Sequence, residues 1–135
     1  MTVLVCLDEK DGMAFDGRRQ TRDSAVIKDI FATAKGAPIK VAPYSEKLLS
    51  EYGRVKVTRE PLMDKDEDAF VFLEVDGIGE YASRIDTLII YRWSEVYPSD
   101  LKFLPSPSAL GLTLLTKSYI VGSSHKKITK EVYTK

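Results

Sequence analysis

Short apolar runs with no polar residue to break them set the tightest limit on how this chain can fold. Thr2–Leu7 is such a run, residues 87–91 repeat the pattern, and the strand expected at 69–75 keeps it as far as Glu74. A strand with one wet face alternates apolar and polar residues, whereas a continuous run suits a strand covered on both faces, as in parallel sheets. Between the runs the periodicity changes. Val26, Ile27, Ile30, Phe31 and Ala34 fall on one face of a helix over residues 23–35, with Gly36 as its stop. Further strands are expected at 38–41 and 54–58, with a short helix between them that opens at Tyr44-Ser45 and ends near Gly53. A helical turn fits 77–83, and the proline-rich stretch 98–107 reads as loop. Residues 111–121 and 127–133 form an antiparallel hairpin around Gly122-Ser123-Ser124. The expected fold is α/β: a mostly parallel central sheet flanked by helices, with a C-terminal antiparallel hairpin. At 135 residues it makes a single domain, 1–135.

The scarce residues exclude several kinds of chemistry. One histidine, His125, and one cysteine, Cys6, cannot build a four-cysteine or two-cysteine, two-histidine zinc site within the chain, so no metal is expected. Cys6 lies inside the first apolar run, where a lone thiol reads as a small buried hydrophobe in a reducing compartment. With no segment that suits a signal peptide or a membrane span, the expected location is cytoplasmic. Lys plus Arg equals Asp plus Glu at 20 each, which removes any broad electrostatic hold on nucleic acid or an anionic membrane. A small molecule is the expected partner, and the oligomeric state is left open.

In open α/β sheets ligands bind beyond the carboxyl ends of the strands, so residues 8–22 and the step at Ala42–Ser45 draw attention. Arg18, Arg19 and Arg22 can grip a phosphate or carboxylate, or can be a solvated basic loop paired with Asp8, Glu9, Asp11 and Asp16. Asp23 stands beside the apolar helix face. It either turns into a cleft to pair with a cationic or amidine-like group, or caps the helix through free backbone N–H groups. Tyr44-Ser45 opens a helix after a strand, but Pro43 lacks an N–H and makes it a poor phosphate loop. Thr58-Arg59 is a further phosphate contact. Tyr91, Trp93 and Tyr97 read as packing residues. His125, in Ser-Ser-His-Lys-Lys, reads as an exposed residue of a polar turn.

Taken in order, these segments resemble dihydrofolate reductase over nearly the whole chain. Val3-Leu4-Val5-Cys6-Leu7-Asp8 with Asp11-Gly12-Met13 is similar to that family's first strand and its Asn-Gly-Met loop. Asp23-Ser24-Ala25-Val26-Ile27-Lys28 resembles the helix whose leading acid holds the pterin, and Arg84–Ile90 resembles the Ala-Asp-x-Leu-x-Leu strand. Lys35–Ile39 with Tyr44-Ser45-Glu46, Phe70–Leu73, Asp100 with Phe103, and Ile128–Tyr133 follow the family's order. The resemblance implies Asp23 as the ligand-pairing, catalytic acid, Ser45 at a helix start, and Thr58 and Arg59 flanking the adenosine phosphate of NADPH.

The chain departs from the family at the cofactor positions. Ala42-Pro43 replaces Gly-Arg, Leu73-Glu74-Val75 replaces the Gly-Gly pair, and Arg18 and Tyr91 replace a tryptophan and a threonine. These changes disfavour NADPH. They imply a binder of a small anionic or heterocyclic ligand, held between residues 8–22 and Asp23 without ordinary turnover. The alternatives are an NADPH-dependent reductase of a pterin or phosphorylated pyrimidine, and a protein-interaction scaffold.

Overall fold

The first apolar run becomes β1 (Thr2–Leu7), with Val3, Leu4 and Val5 wholly buried near the middle of a seven-stranded sheet. The computed structural model describes all residues 1–135. α1 spans Ser24–Ala34, β4 Ile39–Val41, α2 Pro43–Ser50, β5 Val55–Val57, β6 Phe70–Leu73, β7 Thr87–Arg92, β9 Thr113–Ile120 and β10 Ile128–Thr134. The strand order is β5-β4-β6-β1-β7-β10-β9. The first five strands run parallel, and β10 is antiparallel to both β7 and β9. No helix is long and apolar enough to cross a membrane.

Alternate residues of the central strands supply two separate cores. Leu4, Phe72, Ile89 and Tyr91 meet α1 and α2 on one face, through Val26, Ile27, Ile30, Leu48 and Leu49. Val3, Val5, Leu7, Val71, Leu88 and Ile90 face the other way. Loop residues Leu62, Ile78, Ile85, Phe103 and Leu112 cover that second face. Both α-helices therefore lie on one side, and the expected flanking holds for that side alone. The turn expected at 77–83 is a 3₁₀ helix over Gly79–Arg84 with no buried residue of its own. It lacks an apolar stripe that would hold a full α-helix against the sheet.

Helix α1 ends one residue earlier than its composition suggests. Lys35 adopts φ 51° and donates its N–H to the Ala32 carbonyl, and Gly36 follows at φ 92°. Two left-handed residues in succession turn the chain back toward β4.

Residues 8–22 differ from the expected loop. They contain β2 (Gly12–Phe15) and β3 (Arg18–Arg19), which join β8 (Leu101–Lys102) in a small antiparallel sheet. Its third strand lies within the stretch expected to be loop, more than eighty residues away in sequence. Asp8 organises this corner. Its buried carboxylate accepts the N–H groups of Lys10, Gly12 and Tyr97 at 2.8, 2.8 and 3.1 Å, and the Gln20 amide at 3.0 Å. Burial works to raise its pKa, but these donors outweigh burial and hold it below the ordinary value.

Ile30 is fully buried between α1 and the sheet. Ile30→Ala should lower the unfolding free energy by about 2–5 kcal/mol in denaturant titrations. Leu115→Ala, on the exposed strand β9, should change it by about 0.5 kcal/mol or less.

Candidate functional site

The apolar face of α1 fixes the helix against the sheet, and this places its N-terminus under the β9–β10 turn. Asp23 is the N-cap, with extended backbone (φ −152°, ψ 127°) and Oδ1 accepting the Ala25 N–H at 2.9 Å. The same oxygen accepts the Ser123 N–H at 2.9 Å and Ser123 Oγ at 3.0 Å. Oδ2 accepts the Ser124 N–H at 2.9 Å, Ser124 Oγ at 3.2 Å and the His125 N–H at 3.1 Å, and lies 3.0 Å from His125 Nδ1. A carboxylate offers about four lone-pair sites, so these partners saturate it. Its side chain is 0% exposed. Burial would raise the Asp23 pKa, yet the Ser123, Ser124, His125 and Ala25 donors together hold it far below the ordinary carboxylate value.

Asp23 thus clasps the far hairpin and presents no free carboxylate to an amidine-like ligand. Gly122 makes the close approach feasible. A Cβ there would run into the His125 carbonyl oxygen and come within 2.5 Å of Asp23 Oδ2.

His125, expected to be exposed, is 7% exposed at its side chain. Its ring stacks on Trp93 at 4.7 Å between centroids, and Nε2 lies 3.2 Å from Thr21 Oγ1. A carboxylate, an imidazole and a hydroxyl in line have the outline of a nucleophilic triad. Here Thr21 lines two hollows of about 10 Å³ each, too small for a substrate carbonyl. The line is a packed hydrogen-bond chain.

The arginines separate. Arg18 is exposed on β3 and pairs in register with Phe15. Arg19 turns inward and grips Glu74 with two bonds, Nε–Oε2 at 2.7 Å and Nη2–Oε1 at 2.9 Å. Glu74 is 6% exposed. The guanidinium also sits 4.7 Å from the centre of the Tyr44 ring, and the Arg19 N–H donates to Tyr44 Oη at 3.0 Å. The hydrogen bonds that Arg19 donates to Glu74 raise the Arg19 pKa against the opposing effect of burial, so the guanidinium stays charged. Cys6 lies beside this pair, and burial, reinforced by the Glu74 charge, pushes its thiol well above the ordinary value.

Glu74 follows β6, in the segment that stands where the resemblance places the Gly-Gly pair of the cofactor site. The Arg19–Glu74 pair, Met13, Gln20 and Trp93 leave a hollow of about 10 Å³ there. These residues leave no room for a cofactor group at that position. Ser45 is buried in the first turn of α2, with its N–H spent on the Ala42 carbonyl. Thr58 donates its N–H to Val41 and is only partly buried. Arg59 lines a separate hollow of about 260 Å³ with Leu73 and Ile78. Ser45, Thr58 and Arg59 do not line one cavity.

The open space lies on the outer side of the clasp. A cleft of about 560 Å³ runs between α1, α2 and the β9–β10 turn, within the size range of small-molecule sites. Arg19, Arg22, Tyr44, Lys47, Tyr52 and Ser124 line it, together with Ile27, Leu48 and the exposed Glu51. Arg22 and Lys47 belong to none of the chain's ion pairs. Sequence reasoning reached Arg19, Arg22 and Asp23 but missed the α2 wall. Tyr44, Lys47, Leu48 and Glu51 are spaced as one helical face, and that spacing was the available signal. No group of three or more His, Cys, Asp or Glu side chains is arranged to hold a metal ion.

No protein-family profile and no curated protein sequence matches the chain. Among solved structures, it is similar to dihydrofolate reductase from Enterococcus faecalis, in a structure complexed with NADP(H) and RAB-propyl. Identity is 15%, the match covers 98% of this chain and 94% of that chain, and the TM-score is 0.64. The fold is dihydrofolate-reductase-like.

The clasp predicts a particular acid sensitivity. A carboxylate with a depressed folded-state pKa stabilises the fold fully above its unfolded value of 3.8. That contribution is lost as the pH falls below 3.8 toward the folded-state value. Asp23→Asn should therefore lose about 1–3 kcal/mol of stability at neutral pH. Its deficit against the native chain should shrink in denaturant titrations below about pH 3. Gly122→Ala should destabilise the same turn and alter Trp93 fluorescence as His125 moves.

Proposed function

We propose that this chain is a single cytoplasmic ligand-binding domain that holds a small anionic molecule with a flat, heterocyclic part. The ligand occupies the cleft between α1, α2 and the β9–β10 turn, without ordinary NADPH-dependent turnover. One observation carries the reading. The two buried carboxylates nearest the cleft are spent, Asp23 on the hairpin and Glu74 on Arg19, while the cations Arg22 and Lys47 are unpaired. A phosphate or carboxylate would satisfy those cations, and the rings of Tyr44 and Tyr52 offer faces for a planar group. Glu51 adds one negative charge to the rim and favours a ligand whose anionic group lies toward Arg22 and Lys47. Asp23 acts as a positioning residue, since its bonds hold Ser123 and Ser124 in the cleft wall.

A second reading, a reductase of a pterin or phosphorylated pyrimidine, draws on the fold likeness to a reductase solved with NADP(H). The hollow of about 260 Å³ beside Arg59 offers room for part of a dinucleotide. The filled space behind Glu74 weighs against a nicotinamide ring in its ordinary pose.

Thermal stability and Trp93 fluorescence, followed while folate, a pyrimidine nucleotide or NADPH is added, separate the readings. A ligand of the cleft at about 100 times its dissociation constant should add about 2.7 kcal/mol of stability. Arg22→Ala combined with Lys47→Ala should abolish that gain while leaving the unliganded melting temperature nearly unchanged. NADPH alone should produce no shift. Consumption of NADPH with dihydrofolate would overturn the binder reading.

A further inference from the structure

The two edges of the large sheet are managed differently. β5 ends one side with three residues. β9 ends the other with eight, bonded to β10 on one side and to nothing on the other. The ladder shifts register at Leu115, and beyond that bulge Thr116–Ile120 exposes a regular row of unpaired N–H and C=O groups able to receive another strand. Its side chains add an apolar surface: Leu114, Leu115 and Tyr119 are 51, 64 and 61% exposed.

Charge indicates what the edge would accept. The chain as a whole is neutral, yet residues 113–135 hold five lysines against one glutamate. That glutamate, Glu131, is engaged by Arg92 at 3.4 Å. Lys130 pairs with Asp29 at 2.7 Å and Lys135 lies 3.6 Å from Asp86, but Lys117, Lys126 and Lys127 are in no ion pair. Lys127 stands over the Tyr119 ring at 4.2 Å, which brings its charge onto the β9 side of the hairpin. Antiparallel pairing of β9 with a second copy would set these lysines against themselves, and like charges across strands destabilise. A nucleic acid would use the charges but leave the backbone groups unpaired.

We propose that β9 is a docking edge for an extended acidic segment of a partner protein, which adds to the sheet as an eighth strand. Main-chain hydrogen bonds supply affinity. Lys117 and Tyr119, two residues apart, share one face of β9, where Lys117 and Lys127 select the acidic residues of the segment. Its alternate apolar residues lie on the other face, toward Ile120. The proposal is independent of the ligand cleft, whose lining includes no residue of β9.

The test is fluorescence anisotropy of a labelled eight-residue peptide alternating valine and glutamate, with hydrogen exchange of the protein followed in parallel. Expected are saturable binding that weakens with salt, slowed exchange of β9 amides, and a loss of affinity of about tenfold or more in the exposed double variant Lys117→Glu/Lys127→Glu. The valine–lysine peptide should not bind the native chain and should bind that variant instead. The proposal is overturned by absence of saturable binding at millimolar peptide, or by binding that charge reversal leaves unchanged. Sedimentation showing a β9-mediated dimer would assign the edge to a second copy. Displacement of the peptide by a single-stranded oligothymidylate that protects no β9 amide would assign it to nucleic acid.

Discussion

A carboxylate withdrawn from water must find donors or give up its charge, and this requirement at Asp23 holds the two ends of the fold together. The donors come from Ala25 beside it and from Ser123, Ser124 and His125, about one hundred residues along the chain. None of the three distant residues is apolar, and none reaches its place by hydrophobic burial alone. The clasp sets the angle between α1 and the terminal hairpin, and so forms one wall of the cleft. It also seats the His125 ring on Trp93, joining a polar turn to the helix-side core. Stability and site geometry at this corner therefore rest on one ionised group.

The same logic recurs along the carboxyl ends of the strands. Asp8 gathers donors from Lys10, Gly12, Gln20 and Tyr97, and Glu74 takes Arg19 in a two-bond pair. Buried ion pairs add little net stability, because desolvation offsets most of their attraction, but removing one partner leaves a costly unpaired charge. These groups fill with protein atoms a crevice that open α/β sheets commonly leave for ligands. The remaining cleft is displaced outward, toward α2, where cations stand unpaired.

Much of the fold could be read from the sequence because its signals are local. The unbroken runs at Thr2–Leu7 and Thr87–Tyr91 are wholly or largely buried strands, and the stripe from Val26 to Ala34 is α1. What escaped depends on pairing across long separations. β2 and β3 read as loop because their partner β8 comes from the far side of the chain. His125 read as exposed because its neighbours are serines and lysines; the serines are polar there in order to serve Asp23, which local composition does not reveal. The cleft was half legible. Arg22 and Asp23 were found as a cluster in sequence, whereas Tyr44 and Lys47 belong with them only once α2 packs beside α1.

The strand order has a consequence for how the protein comes into being. β1 precedes its neighbour β7 by some eighty residues, and β10 must then add beyond β7. Until residue 125 emerges, the nascent chain carries α1 with a carboxylate that has only one of its backbone donors within reach. Closing so long a loop is slow and entropically opposed. The apolar first strand therefore lacks both of its neighbours until β6 and β7 have been made, and the polar hairpin adds to the sheet after them. Completion of this sheet waits for β10, and that step also shapes one wall of the cleft.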